Sequence, residues 1–79
     1  MMLEKFDQII ANPEILGGKP CIKDTRISVD MVLEWFATGA TIPGLIEQFP
    51  HLTEEGIQQA LWYAAHVIKN ETIVEVKVA

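Results

Sequence analysis

From Ser28 onward the apolar side chains fall at helical spacing. Val29, Val32, Leu33, Phe36 and Ala37 follow the i, i+3, i+4, i+7, i+8 pattern of a helix with one buried face. Ser28 is a natural N-cap, Asp30 suits the positive first turn, and Ile27 with Val32 occupies the positions of a hydrophobic staple. Gly39 stops this helix. Thr41 caps a second, short one that carries Ile42, Leu45, Ile46 and Phe49; Pro43 is tolerated in its first turn, and Pro50 disfavours helical geometry at Phe49. Leu52 and Thr53 repeat the staple and cap, Leu52 reaching Ile57, and the third helix runs to about Asn70.

Upstream of Ser28 the pattern changes. Gly17, Gly18 and Pro20 forbid a regular helix, while Cys21–Ile22 and Arg26–Ile27 read as two short extended segments around the turn Lys23–Asp24–Thr25. Past Asn70, Val74, Val76 and Val78 alternate with Glu75 and Lys77 as an edge strand does, and that strand needs a partner: the segment Gln8 to Ala11, a second protomer, or another protein. The fold expected is one mainly α domain. An extended arm or hairpin (1–27) precedes a three-helix, homeodomain-like bundle with a helix-turn-helix (28–70), and a C-terminal strand (71–79) follows.

Composition changes this picture in two ways. A 79-residue chain buries only about 60% of its unfolded surface, yet 49% of its residues are hydrophobic. A homodimer or a protein partner is therefore expected, with Trp35, Trp62 and Tyr63, partly off the inferred core faces, and the tail residues Val74, Val76 and Val78 as interface candidates. The net charge of −5 opposes nucleic acid as a whole-surface partner, so any DNA contact must be local. Lys19, Lys23 and Arg26, half of the basic residues, cluster in the arm with Thr25. There Arg26 either contacts a phosphate or partner or pairs with a carboxylate such as Asp24 or Asp30. Gln58 and Gln59, at the start of the third helix, have side chains suited to reading adenine, a solvated helix end being the plainer account. Two glutamates, Glu54 and Glu55, precede them and face phosphate badly.

Other chemistry is excluded by spacing. Gly17–Gly18–Lys19 is followed by proline instead of the Ser/Thr and helix of a phosphate-binding loop. A single cysteine with two histidines offers no zinc-type set, so Cys21 reads as a small buried thiol, and His66 as a structural or solvent-facing histidine. No nucleophile, paired carboxylates or metal cluster is recognisable, and the expectation is a non-enzyme without metal, cofactor or small-molecule substrate. No apolar run approaches the roughly 20 residues of a membrane span, and the first residues lack a secretory pattern, which points to a cytoplasmic protein with no membrane partner.

"NPEILGGKPCIKDTRISVDMVLEWFATG" followed by "LIEQFPHLTEEGIQQALWYAA" resembles the bacterial family first catalogued as domain of unknown function 433, related to VapB-type antitoxins. The resemblance covers about residues 9 to 66 and rests on Asn12, Pro13, Gly17, Gly18, Lys19, Pro20, Ile22, Thr25, Arg26 and Val29, then Pro50, Leu52 and Thr53. It implies a homeodomain-like fold and an antitoxin that binds a PIN-like nuclease toxin and its own operator DNA. A stand-alone helix-turn-helix transcriptional regulator and a structural dimeric module are the alternatives. Asp24 stands where the family usually has glycine; aspartate tolerates left-handed backbone better than most residues, so the turn is expected to survive.

Overall fold

The computed structural model describes residues 6–70. It contains β1 (Ile9–Ala11), β2 (Pro20–Ile22), α1 (Val29–Ala37), α2 (Ile42–Gln48) and α3 (Glu54–Asn70), with one 3₁₀ turn at Leu16–Gly18. Three helices thus form a bundle behind an N-terminal two-stranded hairpin.

The caps form as their residue types dictate. The Met31 N–H donates to Ser28 Oγ, the Gly44 N–H to Thr41 Oγ1 and the Gly56 N–H to Thr53 Oγ1, each satisfying a donor that a helix start leaves unpaired. Behind the first and third caps the staples close: Ile27 and Val32 are both buried, as are Leu52 and Ile57. At the end of α1, Gly39 takes φ +103°, and the N–H groups of Gly39 and Ala40 donate to the carbonyls of Phe36 and Trp35. That is a Schellman end, which a residue with a Cβ adopts only under strain. It turns α2 117° away from α1.

Nine residues make the core: Ile22, Ile27, Val29, Val32, Leu45, Leu52, Ile57, Ala60 and Ala64. The buried stripe of α1 is narrower than the spacing predicts. Leu33 is 37% exposed and Ala37 is exposed, while Trp35, outside the predicted stripe, packs against the core. Phe49, the residue that caps the end of α2, stacks on Trp35 with ring centroids 5.1 Å apart and planes 15° apart, so the side of α1 that carries Trp35 is covered. On α3, Gly56 lies so close to β2 that a Cβ there would meet Ile22 Cγ2 at 3.1 Å; the helix and the hairpin touch through its backbone.

The hairpin differs from the expected arm. Ile22 and Ile27 do pair, through the Ile22 N–H and the Ile27 carbonyl, and Cys21 bridges Ser28. The longer ladder, however, is formed with a preceding segment: β1 runs antiparallel to β2 with Ile9 opposite Ile22, Ile10 opposite Cys21 and Ala11 opposite Pro20. Gln8–Ala11, a proposed partner of the tail, is therefore occupied on one edge by β2. The predicted tail strand, with Val74, Val76 and Val78, lies outside the described residues. Among the described residues no single helix is long and apolar enough to cross a membrane.

Candidate functional site

The turn after β2 is built around Thr25. Its hydroxyl donates to the Ile22 carbonyl at 2.8 Å and accepts from the Ile27 N–H at 3.0 Å, an internal bridge that replaces the bonds a regular strand would make. Asp24 sits in the left-handed region at φ +63°, as anticipated for a residue in a glycine position. Lys23, Asp24 and Arg26 stand exposed on this turn.

Facing the turn is the connection between α2 and α3. The Leu52 N–H donates to the Phe49 carbonyl, holding Phe49 against Trp35 on one side while His51 meets it edge-on, 6.4 Å between centroids at 90°. Asn12 closes one end: its Oδ1 accepts from the Glu14 N–H and its carbonyl from the Ile15 N–H. Between these parts opens a cleft of about 600 Å³. Its floor is apolar, from Ile10, Ile15, Ile22, Ile27 and Phe49; its polar lining is Asn12, Asp24, Thr25, Arg26 and His51. Four of the residues that carry the family resemblance, Asn12, Ile22, Thr25 and Arg26, thus meet at one cleft although 14 positions separate the first from the last.

Among the described residues Arg26 makes no ion pair; neither Asp24 nor Asp30 holds it. Asp30 pairs with Lys19 instead, Nζ to Oδ2 at 3.3 Å with both side chains exposed. A hydrogen bond from the Ser28 hydroxyl, followed by the Lys19 ammonium, holds the Asp30 carboxyl below the usual carboxylate range. Cys21 is buried, as expected; burial first, then Asp30, pushes its thiol above the ordinary range, and the S–H points to the Lys19 carbonyl at 3.3 Å. No group of three or more metal-ligating side chains occurs among the described residues.

The candidate DNA readers part company. Gln58 is exposed, its amide 3.4 Å from Glu54 Oε2. Gln59 is 2% exposed: its Oε1 accepts from the Gln8 N–H, and its Nε2 donates to Asp7 Oδ1 and Glu55 Oε2. Gln59 therefore fastens the N-terminal segment to α3 and has no free edge for a base. Thr25 likewise has its hydroxyl committed inside the turn. The aromatic candidates also separate. Trp35 stacks within the fold; Tyr63 is half-buried with Phe6 edge-on at 5.4 Å; only Trp62, 43% exposed, is left in solvent. Sequence reasoning missed Phe49 and His51 as cleft walls, because their role comes from the turn that brings them beside β2.

Residues 9–64 match the family model described as protein of unknown function (DUF433). An uncharacterized protein, y4eO, of Sinorhizobium fredii (strain NBRC 101917 / NGR234) is 36% identical over 56 residues, which is 71% of this chain and 25% of that protein. The chain thus spans about a quarter of this curated relative. A crystal structure of a DUF433 member protein from Anabaena variabilis ATCC 29413 superposes with a TM-score of 0.73 at 29% identity, over 78% of this chain and 61% of that one. With the family model spanning more than half of its length, and the same hairpin-and-bundle fold in a solved member, the chain belongs to the DUF433 family.

Proposed function

We propose that this protein is a non-enzymatic, antitoxin-type binding module that restrains a PIN-like nuclease by accepting a segment of it in the cleft between the hairpin turn and Phe49–His51. One observation carries the reading: Arg26, without an ion pair among the described residues, stands over an apolar floor, whereas the leading turn of α3 exposes Glu54 and Glu55. A guanidinium beside apolar walls suits a peptide that offers an apolar side chain with a neighbouring carboxylate. Two carboxylates at the start of a would-be recognition helix oppose the phosphate contacts on which DNA affinity rests.

The test is co-expression with the adjacent gene product, followed by size-exclusion of the complex. Arg26→Glu should abolish co-elution while the far-UV spectrum stays helical. An unchanged complex would remove the cleft from the interface. Retention of duplex DNA with a log–log salt slope of about −2.7 per protomer, lost on changing Lys19, Lys23 and Arg26 together, would favour operator binding instead.

A further inference from the structure

The face of α3 opposite the core is patterned. Glu55, Gln58, Trp62, Ala65 and Lys69 follow one another at spacings of 3, 4, 3 and 4, and all five are exposed. That is the spacing of a coiled-coil seam. The core-facing residues of the same helix, Gly56, Ile57, Ala60 and Ala64, lie on its other side, so no described part of the protein covers this line. Its central residue is a tryptophan 43% exposed, and its ends carry opposite charges at equal distance, seven residues or about 10.5 Å on either side of Trp62.

We propose that this seam binds a second copy of the chain, α3 against α3, antiparallel about a two-fold axis at Trp62. The charges select the direction. An antiparallel pair centred on Trp62 sets Glu55 of each copy opposite Lys69 of the other, two symmetric ion pairs; a parallel pair sets glutamate against glutamate and lysine against lysine. Shape agrees with charge. A helical side chain leans toward the N-terminus of its own helix, so in the antiparallel pair each Trp62 ring leaves the axis toward its own Gln58 and comes to lie over Ala65 of the other copy. A methyl group is what leaves room for an indole there. This pairing is independent of the cleft and of what the cleft binds.

A single helix of 17 residues covers less than the roughly 1,200–2,000 Å² of a stable interface, so the association is weak and is tested by trapping. Glu55→Cys and Lys69→Cys proteins are prepared separately, mixed at about 100 µM, a concentration suited to an interface of this size, and oxidised. The native Cys21 is buried, and wild-type protein serves as its control. The expected result is a disulfide-linked dimer in the mixture and little above the wild-type background from either variant alone. Adding Trp62→Ala to both chains should cut the linked fraction at least fivefold while leaving the helical signal intact, since the ring lies outside the core. Cross-linking of Glu55→Cys with itself would mean a parallel pair. No linked dimer in the mixture, or a yield indifferent to Trp62→Ala, would mean that something else covers this face. Any of the three overturns the proposal.

Discussion

Gln59→Met should loosen the attachment of the N-terminal strand to the bundle. Methionine keeps the length and most of the volume of glutamine, so the substitution removes polar contacts without opening a large cavity. Three are lost: the Gln8 N–H at 2.9 Å, Asp7 Oδ1 at 2.8 Å and Glu55 Oε2 at 3.3 Å. Asp7 and Glu55 are exposed and regain water; Gln8 is half-buried, and its N–H is left without a partner. A fully buried donor left unsatisfied costs about 1–3 kcal/mol, and a half-buried one falls at the lower end of that range. For a domain of this size each kcal/mol lowers Tm by roughly 4–8 °C, so a loss near 1 kcal/mol is worth about 4–8 °C. The Gln8 carbonyl also accepts from the Lys23 N–H at 2.7 Å, and freeing Gln8 should therefore reach β2. Urea denaturation and amide hydrogen exchange are the assays, with Gln58→Met, an exposed neighbour, as the control expected within about 0.5 kcal/mol of wild type. If Gln59→Met is as stable as Gln58→Met and the Gln8 amide keeps its protection, the clasp contributes nothing and Gln59 returns to the list of residues free to bind something else.

Two further changes test the local geometry. At φ +63°, position 24 should prefer glycine over alanine by about 1 kcal/mol, the cost of left-handed backbone for a residue with a Cβ; equal urea midpoints for Asp24→Gly and Asp24→Ala would contradict the turn. The folded-state pKa of Asp30 lies below its unfolded value, through Ser28 and Lys19, so its contribution is present above the unfolded value and lost as pH falls through the folded one. The Tm difference between wild type and Asp30→Asn should hold from neutral pH to about pH 5 and shrink below about pH 4, and a difference that grows in acid would reverse the assignment.

The bundle was legible because its signals are local. A cap hydroxyl, a staple pair and a glycine past the last turn each act within about six residues, and Ser28, Thr41, Thr53 and Gly39 do in the structure what their types demand. The hairpin was half legible for the opposite reason. The turn at Lys23–Arg26 announces itself, but β1 is three residues of Ile-Ile-Ala whose partner lies across a 3₁₀ turn, and nothing in so short a run separates a strand from a loop. The outward drift of Leu33 was hidden too, and so was the stacking of Phe49 on Trp35, a contact between two helices that meet at 117°.

The same distinction governs function. A helix-turn-helix is first a way of burying Leu45, Leu52 and Ile57 together, and DNA binding has to be added to it by exposed cations and free amide edges. In this chain part of those additions is spent elsewhere: Gln59 on Gln8 and Asp7, Thr25 on its own turn, Lys19 on Asp30, while Lys23 and Gln58 stay exposed. Also exposed are Arg26 over an apolar cleft, and Trp62 between a glutamate and a lysine that, on the pairing proposed above, meet each other's counterparts on a second copy. A glutamine on a helix start and a tryptophan off the apolar stripe look equally available in a sequence; only the packing of the N-terminal segment against α3 takes the first out of solvent and leaves the second in it.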